Sequence, residues 1–265
     1  MKEHALDPQL TRDETTEVVE GLVTGWSIPE EVPQGINTIV IPDSECPTGA
    51  RFGARALHTL VLRSRPRTLI VVTADLVPSP RMQTMGQVET ALGSCSIDER
   101  LSARIASELG DHLEVFPRLE NPLQSLQRMT PLLCQVLAPG CRFIPIVVPI
   151  QSSDPDLMIQ LGQLLGSTLS AEHGACLVAG LNLPTRQKIG SASDLTDDAA
   201  LIRHLLDPNP KSFLEASLLA QIESFAPALI ALGHSQARQC SKGFLLEHGE
   251  LIQGDSHRGA ASVVL

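Results

Sequence analysis

Seven apolar, β-rich runs punctuate this chain, and several carry no polar residue on either face. They cover Thr38 to Pro42, Thr68 to Thr73, Phe143 to Ile150, Cys176 to Leu183, Ala228 to Ala231, Gly243 to Leu246 and Ser262 to Leu265. A strand apolar on both faces has to be buried on both faces, which requires helices above and below a sheet. The intervening stretches supply them. Arg51 to Leu62, Asp98 to Leu109, Pro122 to Leu137, Asp156 to Leu169, Asp194 to Leu206 and Ser212 to Phe225 place apolar residues three and four apart, the helical spacing. Asp98 and Asp194 stand where N-caps belong, and Pro208 with Pro210 separates two helices. The alternation predicts an α/β layered fold with helices on both faces of a central sheet. At 265 residues and 43% apolar content the chain suffices for one domain with a sizeable core, preceded by a short acidic extension over about residues 1–34.

Charge and composition exclude several classes of function. A formal charge of −10 opposes nonspecific attraction to nucleic-acid phosphates or an anionic membrane. With no tyrosine and one tryptophan, Trp26, the chain is poor in stacking platforms for bases. Arg63, Arg65 and Arg67 form a small basic cluster that reads as a solvated turn between a helix and a strand. Six cysteines without a CxxC pair suit a reducing, cytoplasmic compartment, and Cys134 and Cys176 lie in apolar segments that read as core. Met1 to Thr24 lacks the basic and apolar regions of a signal peptide, and no apolar run approaches membrane-spanning length, about 18 residues.

Ligands in such folds bind beyond the carboxyl ends of the strands. Two acids stand there. Asp43 follows the first strand, with Glu45 and Cys46 just beyond, and Asp75 follows the second. Two carboxylates at adjacent strand ends suit a hard cation or a general acid/base pair; alternatively, each caps a following turn or helix. For Cys46 a structural role is expected, because the carboxylates beside it oppose thiolate formation.

Thr90-Ala-Leu-Gly93 followed by Ile97 and Asp98 resembles the Thr-x-Leu-Gly signature of MEMO-like proteins, fold relatives of class III extradiol dioxygenases. The resemblance spans roughly Ile36 to the C-terminus and implies a mixed sheet flanked by helices around a metal-binding cleft. Its ligand positions are replaced. Where the family's first strand ends in Pro-His-Ala-Gly-Tyr, this chain has Pro42-Asp-Ser-Glu-Cys46; where the second ends near Pro-Ser-His, it has Thr73-Ala-Asp75. The family's His-Ser-Leu-Glu-x-Gln-x-Pro falls on Gln124-Ser-Leu-Gln-Arg-Met-Thr-Pro131, so Gln124 replaces a histidine and Gln127 a glutamate. Gly180, Leu181 and Asn182 stand for Ser-Ser-Asp, Thr185 for a histidine, and Ala231-Leu-Gly233 for Ala-Cys-Gly.

Iron, copper and zinc favour imidazole or thiolate, and these positions offer carboxylates, amides and hydroxyls. The resemblance therefore implies a degenerate member, a pseudoenzyme without cofactor that binds a partner or small ligand. By the same resemblance, bacterial relatives of the AmmeMemoRadiSam system protein B type imply association with a radical-SAM protein. The alternative is an enzyme holding a divalent metal, Mg, Ca or Mn, on Asp43 and Asp75, or a dioxygenase-like oxidoreductase whose cleft recruits His234, which follows an apolar run read as a strand. A third reading takes Gly233-His-Ser-Gln-Ala237 as a nucleophile elbow with Ser235, served by Asp255 and His257. Two residues apart on one strand, that acid and histidine share a face and build no relay. His248 and His257 read as solvated.

Overall fold

The computed structural model describes residues 10–44, 46–119, 125–150, 154–186, 192–222, 224–253 and 256–265. Along the chain run α1 (Arg12–Val23), β1 (Thr38–Ile41), α2 (Pro47–Ser64), β2 (Thr68–Asp75), β3 (Arg81–Gln83), β4 (Gln87–Thr90), β5 (Gly93–Ser96), α3 (Glu99–Leu109), β6 (Glu114–Phe116) and α4 (Ser125–Leu137). They continue with β7 (Arg142–Pro149), α5 (Pro155–Thr168), β8 (Ala175–Gly180), β9 (Thr185–Arg186), α6 (Ala192–Leu206), α7 (Pro210–Leu219), α8 (Ala226–Ala237), β10 (Phe244–Gln253) and β11 (Ser256–Val264). The architecture is α/β, a mixed sheet flanked by helices. Among the described residues nine strands form that sheet in the order β10-β11-β1-β8-β2-β7-β3-β6, with β9 against β11.

Its centre, β1, β8, β2 and β7, is parallel; β11 and β3 join it antiparallel. These four strands are the runs with no polar face, and the strand period of two splits their side chains between two cores. Val40, Ile70, Val72, Ile144 and Leu177 meet Leu101 and Ile105 of α3, Leu161 of α5 and Leu229 of α8. Ile39, Ile41, Leu69, Val71, Phe143 and Val178 meet Val19 of α1, Leu57 of α2 and Met129 of α4. Glycine lets α5 and α8 pack backbone to backbone: a Cβ on Gly162 would lie 2.2 Å from the Ile230 carbonyl oxygen, and one on Gly233 2.4 Å from that of Ile159.

Thr90-Ala-Leu-Gly93 is the turn of the β4–β5 hairpin. Thr90 Oγ1 donates to the Gly93 carbonyl at 2.8 Å and accepts from Leu92 N–H at 3.1 Å, and Gly93 has φ 121°, where a side chain is strained. The same hydroxyl contacts Gln135 on α4. Asp98 caps α3, accepting from Leu101 N–H, and also accepts from Thr68 Oγ1 at 2.6 Å. The signature that carries the family resemblance is thus a set of folding devices.

Several expectations are corrected. Ala228 to Ala231 is helical, within α8, whose residues from Ala226 to Ser235 are all buried. A helix without a polar face reads in sequence like a buried strand. The stretch Ser212 to Phe225 is helical only to Leu219; Gln221 turns left-handed at φ 53°, and Phe225 is the N-cap of α8. Asp194 lies inside α6, which starts at Ala192. Gly243 to Leu246 and Ser262 to Leu265 are the ends of the long β10–β11 hairpin. His248, read as solvated, approaches Asp198 at 3.3 Å. The arginine cluster is the α2–β2 turn, with Arg65 in the left-handed C-cap conformation. No helix among the described residues is long and apolar enough to cross a membrane.

Candidate functional site

The carboxyl end of the parallel strands gathers part of the expected set. Ile41 pairs with Gly180 and Val72 with Ala179, so carrying the register forward two or three residues brings Asp43, Asn182 and Asp75 level and onto the face covered by α2 and α4. β8 lies between β1 and β2, so the two aspartates stand about two strand spacings, roughly 10 Å, apart. The half-buried Asp43 leans over Gly180, where a Cβ would lie 3.0 Å from its Oδ2, which explains a glycine there. Asn182 Nδ2 donates to the Asp43 carbonyl at 3.3 Å.

Both carboxylates hold backbone. Asp43 Oδ1 accepts from Leu126 N–H in the first turn of α4 at 2.9 Å, tying the β1 loop to the helix. That geometry places a negative charge against the positive end of the helix dipole. Asp75 Oδ1 accepts from Leu76 N–H at 2.7 Å, and its carbonyl accepts from Ile150 N–H at 3.0 Å. Cys46 is the N-cap of α2, its Sγ accepting from Gly49 N–H at 3.3 Å.

Among the other expected residues, Glu45 and Gln124 lie outside the described residues, as does Asp255. Thr185 opens β9, which pairs with β11 at Arg258, past the point where β1 has ended, and so stays on the carboxyl side of the sheet. His234 and Ser235 do not belong to this cleft. They lie on α8, both with no exposed surface, and His234 Nδ1 meets Thr38 Oγ1 at 2.8 Å while Ser235 Oγ donates to the same hydroxyl at 3.4 Å. Thr38 begins β1, five residues or roughly 16 Å along the strand direction from Asp43. The expectation that His234 follows a strand into the cleft fails because the preceding run is a helix. The strand–turn–helix setting of a nucleophile elbow is likewise not the setting of Ser235. Leu232, at the position of the family's cysteine, is a core residue of α8 on the opposite face of the sheet.

Sequence reasoning named Gln127 and Asn182 but missed the buried oxygens of Thr73 and Thr130 that accompany them. Thr73 Oγ1, Gln127 Oε1, Thr130 Oγ1 and Asn182 Oδ1 have no hydrogen-bond partner among the described residues. Thr73 shares a strand face with Asp75, two residues on, and Gln127 is held by its Nε2 donating to the Ile146 carbonyl at 3.0 Å. No group of three or more His, Cys, Asp or Glu arranged to hold a metal occurs among the described residues.

No protein-family model matches the chain, and no curated protein does. Among solved structures the chain is similar to an uncharacterized Escherichia coli K12 protein, JW3007, with a TM-score of 0.59 and 13% identity. The likeness covers 86% of this chain and 99% of that one. At that identity it is a likeness of fold.

Proposed function

We propose that this chain is a degenerate MEMO-like scaffold that binds a protein partner or small ligand and does not carry the redox metal of the family it resembles. One observation carries the reading: Asp43, at the position of the family's first histidine, spends its carboxylate on the N–H of Leu126. Asp75, at the second, holds Leu76 N–H. A carboxylate that orders a loop against a helix start is a structural tie, worth about 0.5–2 kcal/mol. Imidazole or thiolate, the donors that iron, copper and zinc favour, is found at neither position. By resemblance, the partner is a radical-SAM-associated protein.

A second reading is favoured by buried, unpartnered oxygens at the same end of the sheet: Thr73 precedes Asp75 by two residues, Asn182 bonds the Asp43 carbonyl, and Gln127 follows Leu126. An all-oxygen set suits a hard cation such as Mg, Ca or Mn and would make Asp43 and Asp75 ligands of an enzyme. Thermal melts of wild type and Asp43→Ala, in chelator and with each ion, separate the two. The scaffold reading expects the variant to melt lower by the same amount in every condition. A wild-type melting temperature raised by one ion, and a variant indifferent to it, would sink that reading in favour of the cation site.

A further inference from the structure

We infer that the crevice at the amino-terminal end of the sheet binds a small oxyanion of two or more charges between Arg67 and Arg142. This end is distinct from the cleft of Asp43 and Asp75: Thr68 and Asp75 are the two ends of β2, seven residues or roughly 23 Å apart. The crevice encloses about 450 Å³, and Arg67, Thr68, Arg142, His173 and Gly140 are among its lining. That volume accommodates a small molecule and exceeds the need of a bare ion.

The two arginines are placed by backbone. Thr68 pairs with Arg142 in the β2–β7 register, Arg142 N–H donates to the Arg67 carbonyl at 2.8 Å, and Arg67 N–H donates to the Gly174 carbonyl at 2.7 Å. Arg67 thus precedes β2 by one residue, beside the start of β7 where Arg142 stands opposite Thr68. Both side chains line the crevice, and each guanidinium can offer parallel N–H donors to a phosphate or carboxylate.

The carboxylates in the crevice are already engaged. Glu172 accepts from Arg100 at 2.8 Å and from Arg104 at 2.9 Å, and its acidity is increased by them. Asp98 accepts from Leu101 N–H and Thr68 Oγ1. Arg142 reaches Asp98 only at 3.9 Å, beyond hydrogen-bond distance, and is 59% exposed. Arg67 is exposed and forms no ion pair among the described residues. Two exposed arginines thus line the crevice on a protein of net charge −10, where the rest of the surface disfavours anions. Pro66, Leu101, Pro139 and Ala175 supply an apolar wall for the body of the ligand.

Isothermal titration with pyrophosphate and with citrate, on wild type, Arg67→Gln, Arg142→Gln and the double variant, tests this directly. The expected result is saturable one-to-one binding of at least one probe, weakened roughly tenfold by each single change and lost in the double variant. Tighter pyrophosphate identifies a phosphorylated ligand; tighter citrate identifies a polycarboxylate. Both arginine side chains are exposed, so the unliganded variants should melt with the wild type. Asp43→Ala should bind the probe as wild type does, which separates this site from the carboxyl-end reading. Absence of saturable binding by either probe, or equal binding by the double variant, would overturn the inference.

Discussion

Replacing His234 by asparagine should flatten the acid limb of the stability profile. Thr38 Oγ1 has one hydrogen and donates it to Asn37 Oδ1 at 3.0 Å, so at 2.8 Å from His234 it must accept. That assigns the proton of the neutral ring to Nδ1 and leaves Nε2 as a buried lone pair without a partner. A second proton there would put a charge in the core near Arg238; burial first, and Arg238 second, lower the pKa from 6.5 to about 3. The folded pKa lies below the unfolded one, so the stabilisation is fully present above 6.5 and is lost as pH falls toward about 3. Between 6.5 and an assay pH of about 4.5, the unfolded chain binds a proton the folded one refuses, costing about 2–3 kcal/mol. In His234→Asn the amide N–H replaces Nδ1–H toward Thr38. The variant is less stable at neutral pH through its smaller volume, but it carries no such titration. Urea midpoints across this range should show the gap between wild type and variant narrowing by about 2–3 kcal/mol on acidification. A gap that stays constant would refute both the assigned tautomer's isolation and the burial argument.

Other substitutions test the fold around the two ends of the sheet. Asp98→Ala removes the α3 cap and strands the Thr68 hydroxyl in a buried site; chemical denaturation should show a loss of about 2–4 kcal/mol, with Asp98→Asn closer to wild type. Gly162→Ala drives a methyl to 2.2 Å from the Ile230 carbonyl oxygen. Thermal melts should register overpacking of about 1–3 kcal/mol, and a neutral result would mean that α5 and α8 separate freely.

The legible parts of the fold were those where one physical signal dominated. The doubly apolar runs of β1, β2, β7 and β8 had no alternative to a sheet covered on both faces, and α3 announced itself by Asp98 and its amphipathic spacing. α8 was misread because Pro227-Ala-Leu-Ile-Ala-Leu-Gly233 is apolar all round, and a short buried helix and a buried strand then look alike. That error carried His234 and Ser235 to the wrong end of the molecule. β3 and β6 are three residues each, too short for any period to show. Asp43 and Asp75 were legible as strand-end acids, yet their partners, Leu126 N–H and Leu76 N–H, are set by tertiary contact and by turn geometry. The arginine crevice was hidden for the same reason: Arg67 and Arg142 are far apart in sequence and meet only where β7 starts beside β2, Arg142 N–H donating to the Arg67 carbonyl.

The proposal that Asp43 and Asp75 hold no redox metal is tested most directly by elemental analysis of protein purified without chelator or an affinity-tag metal, alongside the Asp43→Ala and Asp75→Ala variants. The account predicts iron, copper and zinc far below one per chain in all three samples. Near-stoichiometric metal in the wild type that disappears in both variants would contradict it.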